Sequence, residues 1–290
     1  MFDNPDNPEV LPLPDPPFPA PPFPAPVLPA PRRIPNFGNT VLFFTVSIIV
    51  MLLTSLSAFA LAMGFQLFGR ETTEQLLREP RLLIPSMALG YLIAGIIVWA
   101  IFTRVWQRPF PKALQWNFSA VRDHWRRLLI GGVVLSLVVQ FLSNYLPVPK
   151  TLPIDDFFRT RADVWMVAIF GTFMAPIFEE LAFRGFLLPS LASAWDWLSR
   201  RSDPSRWSIQ GLISSCTVTS IAFALVHADQ LAHAWAPLLV LFAVSLVLCL
   251  VRLSTRSLAA STFIHATYNG TIFTILFFGT GGFRHLDKIS

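Results

Sequence analysis

The sequence predicts an all-α protein, a polytopic transmembrane helical bundle of about eight spans, with seven as the alternative. Three observations lead there. Of 290 residues, 53% are hydrophobic and only 13% charged, whereas a soluble domain carries roughly 25% charged residues. Mean hydropathy is +0.56. Apolar runs recur along the chain at close to the ~20 residues that a bilayer core requires.

The formal net charge of +5 comes from basic loops between apolar runs. That pattern suits an anionic membrane surface, and nothing in it points to nucleic acid. The chain reads as an integral, multi-pass protein of the plasma (inner) membrane. Cys216 and Cys249 both fall in apolar runs and read as small packing residues rather than a disulfide or a metal pair.

Residues 1–36 hold 14 of the 25 prolines. Proline removes backbone donors and favours polyproline II, so this stretch reads as a disordered proline-rich tail. It has neither a basic leader nor a small-residue cleavage site, so it does not read as a signal peptide. Residues 37–290 form the expected bundle. Spans are expected over 41–65 and 85–105, with a polar connection between them. Residues 104–127 interleave six cations with Trp106, Trp116 and Trp125, which marks a membrane interface and predicts a surface helix over 111–126. A third span comes next over 128–146, then a connection with three prolines over 147–163.

The next run, 164–197, is 34 residues long, too long for one ordinary crossing. Gly185 and Pro189 offer break points within it. Further spans are expected over 209–226, 235–251 and 257–278. With seven crossings the basic residues divide thirteen to eight, which puts the N-terminal side in the cytoplasm. With eight, the extra crossing lying within 185–198, they divide ten to eleven. Counting along the helices favours eight. Glu179 lies ~22 Å from residue 164 and His227 ~27 Å from residue 209, so an extra crossing would bring them to one level.

Inside the long run stand Glu179, Glu180 and Arg184. Each charge at such depth costs ~2.5–3.5 kcal/mol on insertion scales, so a cluster of them is a functional-site hypothesis by default. Glu180 and Arg184 are four apart and share a helix face. Glu179 is turned away by about 100°, which leaves one carboxylate paired and the other free. Two more polar pairs have the same spacing, Phe223 with His227 and His265 with Asn269. A free carboxylate, two imidazoles and an amide thus come from three separate spans.

Over 145–279 these residues resemble the CaaX-protease and bacteriocin-processing (CPBP, or ABI) family of intramembrane endopeptidases, also called type II CaaX prenyl endopeptidases. The family's pattern is EExxxR, FxxxH and HxxxN on successive helices. Here it reads Glu179-Glu180…Arg184, Phe223…His227 and His265…Asn269. The resemblance implies a helical bundle of about eight spans and a cavity open to the cytosol. It implies Glu179 as the catalytic carboxylate, with His227, His265 and Asn269 beside it and Glu180 and Arg184 in support. It implies a peptide or membrane-anchored protein as substrate and the lipid bilayer as surroundings. The family is classed with metalloproteases.

Peptide hydrolysis needs an activated water and charge stabilisation for the oxyanion. Arg184 keeps Glu180 ionised, so Glu179 is the carboxylate left for proton transfer, with His227 helping to hold the water. His265 and Asn269 can direct N–H donors at the developing oxyanion. Phe223 reads as a packing residue that fixes the His227 ring. The metal alternative uses Glu179, His227 and His265 as a zinc site with an open fourth position. No HExxH is present, and the sequence does not decide between them.

Taken singly, the pieces have plainer readings. Glu180 and Arg184 alone would be a structural ion pair, His227 an interfacial histidine, and His265 with Asn269 interhelical hydrogen-bond glue. Their joint order favours catalysis over two rivals, a proton- or ion-coupled transporter and a catalytically idle membrane scaffold. Spans one to three carry no matching polar groups, as a transporter built from repeats would require.

Overall fold

The computed structural model describes residues 34–69, 72–149, 151–200 and 207–286, and no strand occurs among them. The tail expected over 1–36 lies outside the described residues except for its last three. Helix α1, Phe37–Gly64, begins where that tail was expected to end. Asn36 and Asn39 close a reciprocal capping box over its first turn. The short α2, Thr73–Leu76, leads into α3, Pro80–Trp106, which runs antiparallel to α1. The Trp106 Nε1–H donates to Asn39 Oδ1 at 3.1 Å, so the end of α3 and the start of α1 share one face of the bundle.

The expected surface helix over 111–126 is not continuous. A single turn, α4, Phe110–Ala113, is followed by a break at Gln115, whose φ is +56°. Asn117 then caps α5, Phe118–Ser143. Arg122, Arg126 and Arg127 therefore ride on the first turns of the third spanning helix. The break has partners. The Leu258 N–H donates to Gln115 O at 3.0 Å, Arg252 Nη1 to Gln115 Oε1 at 2.9 Å, and Ser257 Oγ to Asn117 O at 2.7 Å. These bonds fasten the turn between α10, Trp235–Thr255, and α11, Leu258–Gly279, to the same face as the start of α5.

The long run is one helical stretch, Arg161–Leu198, of 38 residues. It consists of α6, Arg161–Ile169, α7, Ala175–Glu180, and α8, Leu188–Leu198, joined by π-helical turns at Phe170–Met174 and Leu181–Leu187. The chain does not reverse within 185–198, where the extra crossing was expected. Gly185 is no break; a Cβ there would come within 3.3 Å of Leu258 Cδ2, so it marks close helix packing. The chain reverses only after Leu198, into α9, Ile209–Leu225. At ~57 Å the stretch outruns a ~30 Å hydrocarbon core. Its last turns and the start of α9 form an antiparallel hairpin.

That hairpin removes the reason for an eighth crossing. Phe183 is about 22 Å before Leu198, and Phe223 about 21 Å after Ile209. The two rings meet at 5.1 Å. The other face is fixed at the chain's end, where Phe283 packs edge-on against Trp165 at 5.1 Å. Among the described residues, five helices meet length and apolarity requirements for a span. Helix α9 is apolar but has 17 residues, and α11, with 22, carries His265 and Asn269.

Candidate active site

Arg184 and Glu180 are wholly buried, and Arg184 Nη1 donates to Glu180 Oε1 at 2.9 Å. The guanidinium also reaches across to α10, where Nη2 donates to Ser245 Oγ at 2.6 Å and Ser245 O at 3.0 Å. A charge-assisted fork of this kind fixes both partners. It also fixes a third group. His265 Nδ1 lies 3.0 Å from the same Glu180 Oε1. A carboxylate paired with arginine only accepts, so His265 donates from Nδ1.

The other imidazole nitrogen, Nε2, points to the second carboxylate. It stands 3.7 Å from Glu179 Oε2. The Glu179 side chain keeps 18% of its surface accessible, against 0% for Glu180. Adjacent residues on one helix thus have different surroundings. Glu180 is held by Arg184 and His265, while Glu179 lies open beside His265. Among the described residues, the ion pair of Arg184 is with Glu180 and not with Glu179.

His227 lies just past the end of α9. Its Nδ1 donates to the Phe223 carbonyl at 2.8 Å, so in the neutral ring Nε2 is a free acceptor. Phe223 is the hub between the histidines. Its ring is 5.0 Å from that of His227, 5.9 Å from that of His265, and 4.8 Å from the Arg184 guanidinium carbon. Asn269, one turn beyond His265, donates from Nδ2 to Gly171 O at 2.7 Å. The structure therefore packs Arg184, His227 and His265 around Phe223, while Glu179 and Glu180 both lie against His265. It turns one Asn269 N–H towards the α6–α7 junction.

Two neighbours carry no motif and escaped sequence reasoning. Ser245 is a lone serine in an apolar run, and only the fold shows that it receives Arg184. Tyr91, on α3, stacks on Phe178 with centroids 4.2 Å apart and planes 10° apart. A single aromatic residue within a span gave no signal of that stacking.

Among the described residues, no three of His, Cys, Asp and Glu are grouped closely enough to hold an ion. With Nδ1 committed to Glu180, His265 has Nε2 as its open nitrogen. The arrangement supplies instead a carboxylate, an imidazole acceptor and an imidazole braced by a buried ion pair.

Residues 161–271 match the family model described as type II CAAX prenyl endopeptidase Rce1-like. The matched stretch contains every motif residue from Glu179 to Asn269 and supports the CaaX-protease resemblance they carry. No curated protein and no solved structure matches the chain.

Proposed function

From residues 161–271, a region of the type II CAAX prenyl endopeptidase family, we infer that the chain is an intramembrane endopeptidase. It hydrolyses a peptide bond of a membrane-anchored protein with a water activated by Glu179, in the plasma membrane. One observation carries the division of roles. His265 bridges the two adjacent carboxylates, with Nδ1 on the buried Glu180 and Nε2 beside the accessible Glu179.

Each step rests on the donors and acceptors available. Glu179 accepts a proton from water as the water oxygen adds to the scissile carbonyl carbon. His227, with Nε2 free to accept, holds the second hydrogen of that water. The carbonyl π electrons move to oxygen, and a donor must meet the resulting charge. His265 supplies it as an imidazolium, since its Nδ1 proton is already spent on Glu180. The C–N bond then breaks as Glu179 returns its proton to the leaving amine. Arg184 and Ser245 take no part in the transfer; they keep Glu180 ionised and His265 in place.

Depth supports a membrane-anchored substrate. Glu179 lies ~10 Å along the helix from Phe186. Phe186 packs against Trp106 and Phe110 at centroid distances of 5.8 and 6.3 Å. Tryptophan at a span end marks the interface, so the carboxylate is within reach of a bond close to a lipid anchor. The test uses purified protein in lipid nanodiscs with a farnesylated CaaX peptide and its unmodified counterpart. Release of the C-terminal tripeptide from the farnesylated peptide is expected. Cleavage of neither peptide, nor of a membrane-anchored control, would oppose the reading.

A further inference from the structure

The two oxygens of Glu180 have different surroundings. Oε1 takes both Arg184 Nη1 and His265 Nδ1. Oε2 is just as buried, and among the described residues no donor is bonded to it. A charged oxygen without a donor is costly inside a membrane span, because no bulk water replaces the missing bond.

A surplus donor stands on the facing helix. Leu258, Ser261 and His265 are spaced by three and four residues and share one face of α11. Two contacts fix what that face meets. A Cβ on Gly185 would come within 3.3 Å of Leu258 Cδ2, and His265 Nδ1 sits on Glu180. Ser261, wholly buried between them, is thereby set against the stretch from Glu180 to Gly185. Its hydroxyl comes up beside the Glu180 carboxylate, yet it donates to Leu258 O at 3.0 Å. The same carbonyl oxygen accepts from the Thr262 hydroxyl at 2.9 Å, and the α-helical ladder brings it the N–H of residue 262 as well. A carbonyl oxygen has two lone pairs. Three donors thus crowd one neutral acceptor while a charged acceptor beside them has none.

We propose that Ser261 is a positioning residue whose hydroxyl serves Glu180 Oε2. Turning the hydroxyl from Leu258 O to the carboxylate exchanges a shared neutral acceptor for an ionised one, and that bond is the stronger. With both oxygens held, the plane of the carboxylate is fixed, and so is the direction from which Oε1 receives His265. Ser261 touches no substrate; it acts through Glu180 on the imidazole that stands beside Glu179. This consequence for catalysis rests on the endopeptidase reading, whereas the hydrogen bond does not.

The experiment compares Ser261→Ala, Ser261→Cys and Thr262→Val in the full chain, with thermal unfolding and peptide cleavage as readouts. Cysteine keeps the shape of serine but is a weak donor. Thr262→Val removes the other hydroxyl on Leu258 O. Ser261→Ala and Ser261→Cys should each lower Tm by a few degrees, and Thr262→Val by much less. Equal losses for Ser261→Ala and Thr262→Val, or a wild-type Tm for Ser261→Cys, would overturn the bond to Glu180 even if the protein cleaves nothing.

For the catalytic consequence, kcat of Ser261→Ala should fall ~10-fold, the scale of one lost hydrogen bond to a charged group. KM should not change, because Ser261 makes no contact with substrate. An unchanged kcat, or a fall matched by Thr262→Val, would overturn the positioning role. A wild type that cleaves nothing would overturn the endopeptidase reading, while the Tm comparison would still decide the bond.

Discussion

Glu180 Oε1 accepts from His265 Nδ1 at 3.0 Å while it also accepts from Arg184 Nη1 at 2.9 Å. A single buried oxygen thus links the motif on α7 to the motif on α11. The carboxylate next to it in the sequence is left accessible.

Removing that link should cost stability before chemistry. Glu180→Gln leaves the Arg184 charge buried without its counterion, at a cost of ~3–5 kcal/mol. Ser245 alone does not neutralise it. Denaturation of the purified variant should show this loss, whereas Glu179→Gln should unfold close to wild type. Equal destabilisation of both variants would show that the carboxylates do not divide as described.

Much of this was legible in the sequence because spacing encodes it. Four-residue spacing in a helix brings Glu180 to Arg184, Phe223 to His227 and His265 to Asn269, and it leaves Glu179 on another face. The helical class came from composition. The span count was harder, because length alone does not tell a second crossing from a helix that projects beyond the core. Gly185 and Pro189 read as break points, yet the π turn preceding Pro189 carries the helix past both. Ser245 and Tyr91 were invisible for a different reason: each is a lone residue that matters only through a neighbour on another helix.

Tyr91 gives the next prediction. Tyr91→Phe keeps the 4.2 Å stack on Phe178 and removes only the hydroxyl. The cleavage rate and Tm should both stay close to wild type, because the stacked ring is what Tyr91 contributes. Tyr91→Ala should lower both, since it also removes the stacked ring. A several-fold fall in rate for Tyr91→Phe would show that the hydroxyl, and not packing alone, serves the reaction.

Metal content separates the braced-imidazole site from a zinc site. No three ligand-type side chains are grouped among the described residues. Active protein should therefore contain well below one equivalent of metal, and a chelator should leave its rate unchanged. Elemental analysis of wild type and His265→Ala, run alongside their kinetics, checks this. A stoichiometric ion in active protein, lost on His265→Ala, would replace the mechanism with one built on the metal.

The central claim is that Glu179 is the base of an endopeptidase, and the most direct measurement is kcat of Glu179→Gln on a cleaved peptide beside its Tm. The amide keeps nearly the same volume at an accessible position but cannot accept a proton from water. General-base catalysis accounts for ~10²–10⁴-fold, so kcat should fall at least that far while Tm stays at the wild-type value. A Glu179→Gln protein that is folded and cleaves at the wild-type rate would contradict the account.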